Sequence, residues 1–360
     1  MSRIIRVLVV DDSALIRQML TRALAMDPRV EIVGTAKTGV EAIERARELR
    51  PDVVTLDIEM PELSGLEALP HIRKHTDARV VVLSSLDDPD TTYRALAKGA
   101  IDFIAKPSTG VASSITELSE RLLKVIKTAH RVLPERIAAS LHDAAEPAGR
   151  PGADYSNAPQ SRIAACVAIA ASTGGPPALE RVFAGLAASL PASYLVVQHL
   201  PAGFATSLAR RLSQAGEIEV VEAADGDSLE PARALLAPYG SHMVIEQNGT
   251  NRCVRLIDDE PIHGVRPAGD VTLKSVARTF GNRSVGVVLT GMGADGAEGA
   301  KAIKLAGGDI VVQDEQTSVV WGMPRAAINA GAATRVVPVG LIAAEIRRAI
   351  RSRADRRAAE

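Results

Sequence analysis

A chain of 360 residues, 46% hydrophobic and 24% charged, has room for two ordinary domains and the composition of a folded protein. Its 42 Lys and Arg against 43 Asp and Glu leave a net charge of -1, which supplies no general pull toward nucleic acid or an anionic membrane. Two cysteines, Cys166 and Cys253, are too few for a metal cage or a disulfide framework and suit a reducing compartment.

The apolar run Ile4 to Val10 is short and ends on two aspartates, unlike a signal peptide. No stretch reaches the roughly 18 apolar residues of a membrane span. The expectation is a cytoplasmic protein. Arg347 to Arg357 is strongly basic and reads as the solvated end of a helix, where cations suit the dipole.

Short β-rich runs alternate with helical patterns from the start. Strands are expected at Arg6–Val10, Glu31–Ala36, Val53–Leu56, Arg79–Leu83 and Asp102–Ile104. Helices such as Leu15–Ala25 and Val40–Glu48 carry apolar residues at three- and four-residue spacing. Nearly all-apolar strands between helices imply a parallel sheet covered on both faces. A helix over Ser113–Arg131 closes this unit, and Leu133 to Arg162 turns rich in Ala, Pro, Gly and Ser, which reads as linker.

Strand–helix alternation then resumes, with strands expected at Cys166–Ala170, Tyr194–Gln198, Leu235–Ala237, Val285–Thr290 and Asp309–Gln313. Met243–Ile245 and Cys253–Leu256 flank Asn248-Gly249 and read as a hairpin. The organisation expected is 1–125 first domain, 126–162 linker and 163–355 second domain.

Asp11 and Asp12 follow the first strand, Asp57 ends the third, Ser84 ends the fourth, and Lys106-Pro107 follows the fifth. A parallel sheet gathers these strand ends at one edge. Clustered carboxylates repel unless a cation neutralises them, and oxygen ligands favour a hard ion such as Mg²⁺. A lysine and a metal beside a carboxylate suit phosphoryl transfer onto it. Taken singly, Asp11 and Asp12 also fit helix caps and Lys106 a solvated surface; five such residues at successive strand ends do not.

On these residues the first 125 positions resemble the receiver domain of response regulators, a flavodoxin-like, doubly wound, five-stranded parallel sheet. The resemblance implies phosphorylation at Asp57. It also implies Mg²⁺ held by Asp12, Asp57 and the Glu59 carbonyl, with Asp11 in support. Ser84 and Lys106 are then phosphoryl contacts and Phe103 an aromatic switch.

In the second half a strand runs into Ala171-Ser172-Thr173-Gly174-Gly175-Pro176-Pro177 and a helix. A serine at such a turn exposes its hydroxyl to the positive end of the helix, although taken alone an N-capping role for Ser172 or Thr173 fits better. Gln198-His199 ends the next strand. Thr290-Gly291-Met292-Gly293-Ala294-Asp295-Gly296 follows another, where Asp295 also fits a cap. One sheet edge can hold Ser172, His199 and Asp295, and a serine nucleophile needs a base whose tautomer a carboxylate fixes. His71, His75, His130 and His142 lie in the first domain or linker, and His242 and His263 on irregular segments. The order Ser–His–Asp differs from that of α/β-hydrolases and of both serine protease types.

Residues 163 to about 350 resemble the catalytic domain of chemotaxis protein-glutamate methylesterases, the CheB family. The segments above carry the resemblance, with Ala237-Pro238, Gly240, His242-Met243 and Gln313 to Arg325. It implies a mostly parallel α/β methylesterase domain with a β-hairpin. Ser172 is its nucleophile, His199 the base, Asp295 the orienter and the Met292 backbone N–H the oxyanion donor. The reactions implied are glutamate methyl ester hydrolysis and glutamine deamidation, without a cofactor. The partners implied are a chemotaxis histidine kinase as phosphodonor and methyl-accepting chemoreceptors in membrane arrays, with the chain itself a monomer. The family usually has Gly at Ala170, and its Arg-Pro-Ser-hydrophobic-Asp segment stands here as Arg266-Pro267-Ala268-Gly269-Asp270. Both departures are expected to lie clear of the triad.

Two rivals make different demands. A DNA-binding response regulator needs a basic recognition helix, which the second half lacks. An inactive module that only accepts phosphoryl groups needs no triad.

Overall fold

The computed structural model describes residues 4–84, 88–106, 112–137, 163–249 and 251–359, without the side chains of 112–117 and 356–359. The linker from 138 to 162 and Pro107 lie outside the described residues. Two compact units divide the chain, Met1–Leu141 and His142–Glu360.

In the first unit, β1 (Ile5–Val10), β2 (Val30–Ala36), β3 (Val53–Asp57), β4 (Arg79–Ser84) and β5 (Asp102–Ala105) form a parallel sheet in the order β2-β1-β3-β4-β5. Every residue of β3 is buried, as is β4 from Val80 onward, because helices cover both faces. These are α1 (Ala14–Leu24), α2 (Gly39–Leu49), α3 (Gly65–His75), α4 (Pro89–Ala97) and α5 (Ala112–Ala129). Local chemistry starts them. Ser13 and Thr38 accept from the Ile16 and Glu41 N–H groups, and Ser64 with Glu67 forms a reciprocal capping box.

The second unit has a seven-stranded sheet whose paired strands all run parallel. It contains β6 (Ala165–Ala171), β7 (Ala192–Gln198), β8 (Glu219–Glu222), β9 (Arg233–Leu236), β12 (Ser284–Val288), β13 (Asp309–Gln313) and β14 (Arg335–Val337). Its order is β14-β13-β12-β6-β7-β9-β8. The hairpin β10 (His242–Asn248) and β11 (Asn251–Ile257) makes a separate antiparallel pair.

The central strands β6 and β7 are buried throughout, and sheet residues such as Ala168, Leu195, Val197 and Val288 share one core with Leu273, Val276 and Phe280. Helices α6 (Gly175–Ala184), α7 (Ala205–Ala215), α8 (Gly269–Phe280), α9 (Ala297–Leu305), α10 (Met323–Asn329) and α11 (Val339–Ala359) complete the unit.

Several expectations need correction. Strands β8 and β14 escape the sequence reading: they are the two edge strands, short and with little apolar surface to bury. His242 is not on an irregular segment but opens β10, fully buried, its Nδ1 accepting the Ala268 N–H at 3.1 Å. The basic end of α11 is not wholly solvated either. Arg353 is buried, pairs with Asp309 at 2.7 Å and donates to the Asn282 and Ser284 carbonyls.

Candidate active site and acidic pocket

In the first unit the strand ends converge as parallel topology requires. Lys106 Nζ stands 2.6 Å from Asp57 Oδ2 and 2.8 Å from Asp11 Oδ2. Asp11, Asp57 and Ser84 are buried and Asp12 is exposed. The capping alternative fails for the aspartate pair: Ser13 caps α1, while Asp11 Oδ1 accepts the Ser13 N–H at 3.0 Å.

Burial pushes the Asp57 carboxyl up to about 6, against the pull of the Lys106 charge and hydrogen bond. Burial works against the Lys106 ammonium as well, yet the two carboxylates raise it overall. Ser84 Oγ receives a hydrogen bond from Thr92 Oγ1 of α4 at 2.5 Å. Phe103 is buried on β5 and meets Tyr93 edge-on, ring centroids 6.3 Å apart.

One ligand oxygen from each of Asp11, Asp12 and Asp57 lies within 4.8 Å of the others. Three carboxylates and one ammonium sum to -3 + 1 = -2. An all-oxygen set with that residual charge fits a hard divalent cation.

In the second unit, β6, β7 and β12 deliver the candidate residues to one edge. Ser172 follows β6, half-buried, its N–H donating to the Thr290 carbonyl at 3.0 Å. It is not the cap of α6: Gly174 holds that position at φ 75°, with no side-chain cap bond. Gln198, at the end of β7, donates through Nε2 to the Ser172 carbonyl at 2.9 Å and the His199 carbonyl at 3.1 Å. It thereby ties together the backbones of two candidate residues.

His199 Nε2 stands 2.8 Å from Asp295 Oδ2. Asp295 is only 2% exposed, and its carboxylate takes three backbone N–H groups besides the imidazole. Gly269 donates to Oδ2 at 2.6 Å, and Asp270 and Gly296 to Oδ1 at 2.9 Å each. Gly269 and Asp270 open α8, so Asp295 caps a helix from which it is distant in sequence. Burial alone raises this carboxyl. The His199 hydrogen bond and charge and the Asp270 and Gly269 donors outweigh it and hold Asp295 below the usual carboxylate range. Gly269 therefore touches the site, contrary to the expectation that the family departures lie clear of it.

The third contact is different. Among the described residues no hydrogen bond joins Ser172 Oγ to the His199 ring. Catalytic hydrogen bonds commonly tighten only around substrate, so this does not count against Ser172.

The Gly291–Met292 turn lies against Ser172. A Cβ on Gly291 would stand 2.8 Å from Ser172 Cβ and 2.2 Å from Met323 Sδ, so no side chain fits there. Thr290 braces the turn, its buried hydroxyl donating to the Thr173 carbonyl and accepting the Val320 N–H. Gly291 N–H is committed to the Val320 carbonyl.

Fold and geometry together define a class: an α/β domain with a lysine-bridged acidic pocket, followed in the same chain by an α/β domain with a hydrolase-type residue set at its sheet edge. Comparison with known proteins makes this specific. Residues 7–115 match the model of the response regulator receiver domain, and residues 167–346 that of the CheB methylesterase family.

A Pyrococcus abyssi protein named protein-glutamate methylesterase/protein-glutamine glutaminase is 43% identical over 350 residues, covering 97% of this chain and 94% of its own. A Symbiobacterium thermophilum protein of the same name is 44% identical, covering 97% and 98%. The crystal structure of the Thermotoga maritima CheB methylesterase catalytic domain is similar with a TM-score of 0.50 and 38% identity. It covers 51% of this chain and 97% of that one. The chain belongs to the CheB methylesterase family, with a response regulator receiver domain ahead of the hydrolase domain.

Proposed function

We propose that this chain is a phosphorylation-regulated protein-glutamate methylesterase and protein-glutamine glutaminase whose nucleophile is Ser172. The observation that carries the assignment is the His199–Asp295 pair at 2.8 Å beside Ser172, its carboxylate also held by three backbone N–H groups. Such a carboxylate fixes the imidazole tautomer and stabilises the imidazolium that forms during attack.

Ser172 Oγ adds to the ester carbonyl carbon as its proton passes to His199. The Met292 backbone N–H, on the turn packed against Ser172, is assigned to the developing oxyanion. Such a donor is worth about 10²–10³ in rate. Collapse breaks the C–O bond, and His199 returns the proton to the departing methanol. Water, deprotonated by His199, then cleaves the acyl-enzyme and regenerates Ser172. A glutamine side chain follows the same course with ammonia leaving.

In the receiver, Asp57 is the proposed phosphoryl acceptor. Asp12, Asp57 and the Glu59 carbonyl, with Asp11 in support, would hold Mg²⁺, which when bound screens the charge of the incoming phosphoryl group. Lys106 and Ser84 contact that group, and Phe103 passes on the change. The phosphodonor is a chemotaxis histidine kinase, and the substrates are methyl-accepting chemoreceptors, served by a cytoplasmic monomer at the receptor array. Among the described residues no helix is long and apolar enough to cross a membrane.

The direct test is methanol release from methylated receptor, with and without a small-molecule phosphodonor and Mg²⁺. Release that rises on phosphorylation supports the reading, whereas a phosphorylated chain that liberates no methanol refutes it.

A further inference from the structure

A second imidazole–carboxylate pair adjoins the first, its carboxylate buried and its histidine side chain 43% exposed. Asp270 is 1% exposed, a buried acid for which the hydrolytic steps have no use. Its backbone N–H holds Asp295 Oδ1, while its side chain engages other elements. Oδ1 accepts the Gly299 N–H of α9 at 2.7 Å, and Oδ2 stands 3.0 Å from His263 Nε2.

His263 reaches that position from a tight turn. Ile262 and Val265 exchange backbone hydrogen bonds at 3.2 and 3.0 Å. The two residues between them, His263 and Gly264, have φ of 55° and 74°. Glycine or asparagine fits such a turn with little strain. Histidine is among the non-glycine residues that enter this region most readily, and here the turn carries its ring to Asp270.

A cation does not explain the group, although His263, Asp270 and Asp295 have metal-ligand spacing. Asp295 Oδ1 already accepts two N–H groups, and Oδ2 accepts one besides the His199 ring. Neither oxygen keeps a lone pair for a metal.

We propose that His263 and Asp270 are positioning residues for the hydrolysis: their contact pins the first turn of α8, and with it two of the three N–H groups that aim Asp295 at His199. The proposal rests on the assignment of Asp295 as partner of the catalytic base. A buried carboxylate that loses its donor must find another. The first turn of α8 then shifts, and a misplacement of about 1 Å near a reacting group can cost about 10² in rate.

The test is steady-state hydrolysis of methylated receptor by the full-length chain carrying His263→Gly, Asp270→Asn, both, or Asp295→Asn, with thermal melting alongside. Glycine keeps the turn without strain, so His263→Gly should melt near the parent. We expect each single variant to lower kcat roughly 10-fold with KM changed less than about twofold. The double variant should be no slower than the slower single, because one device is lost twice.

A His263→Gly protein with parental kcat overturns the proposal, and so do losses that multiply in the double variant. Should Asp270→Asn fail to fold, His263→Gly alone decides. Parental activity in Asp295→Asn removes the underlying assignment as well. A slow Asp295→Asn beside an unimpaired His263→Gly overturns this proposal and leaves that assignment standing.

Discussion

Asp295 and Asp57 are both buried carboxylates, and their surroundings drive them in opposite directions. Asp295 has four donors and titrates below its ordinary range. The stability it contributes is present at neutral pH and is lost as pH falls through that depressed folded-state value. Asp57 is raised to about 6 because its lysine does not offset its burial. The folded state therefore binds its proton more tightly, and stability declines as pH rises from about 3.8 toward 6. Asp57→Asn should accordingly stabilise the chain above pH 6 by up to about 3 kcal/mol and flatten this pH dependence. Denaturant titrations at pH 4.5 and 7.5 measure it, and equal stability of parent and variant at pH 7.5 contradicts it. At the other site, Ser172→Ala should abolish methanol release at unchanged melting temperature. Losses from His199→Ala and Asp295→Ala should not multiply with it, because the three act as a unit. Residual near-parental turnover in Ser172→Ala excludes the assigned nucleophile.

At the scale of elements, what the sequence makes legible is the strand ends. Apolar runs such as Val53–Leu56 and Ala165–Ala171 stop abruptly at Asp57 and Ser172, and parallel topology alone then places those residues on an edge. Contacts made across the fold leave no such mark. His263 and Asp270 are seven residues apart, but only the turn at 262–265 brings the ring onto the carboxylate. Arg353 sits in a run of arginines, and nothing local distinguishes it from its solvated neighbours. The family departures are legible as departures but not as a pair. A Cβ on Gly269 would lie 2.7 Å from the Ala170 methyl, so the extra carbon on β6 is accommodated by its absence on α8. Gly269→Val should therefore cost about 1–3 kcal/mol by overpacking and slow hydrolysis by moving the N–H that holds Asp295. Adding Ala170→Gly should restore both. A double variant no better than Gly269→Val, in unfolding and in rate, disproves the exchange.

For the whole molecule, the question is why one chain carries both units. Every residue proposed for hydrolysis lies after position 163, and every residue proposed for phosphorylation before 107, so on this proposal the receiver supplies no group to the chemistry. Its effect must come through whether substrate reaches Ser172 or how the second unit is held. A covalent connection between two units keeps each at high effective concentration for the other. A phosphoryl group on Asp57 adds charge and acceptor oxygens beside Ser84, which now accepts from Thr92 of α4, and so supplies a local trigger for the proposed regulation. A fragment beginning near Gln160 should fold, hydrolyse methylated receptor faster than the unphosphorylated full-length chain, and ignore phosphodonors. Full-length protein should accelerate with phosphodonor and Mg²⁺, and Asp57→Ala should lose that response while keeping the resting rate. Comparing the fragment with the resting chain on one receptor preparation separates the two roles open to the receiver. If the receiver inhibits, its removal raises kcat/KM. A well-folded fragment slower than the resting chain shows that the receiver instead supports catalysis, and regulation then works by activation alone.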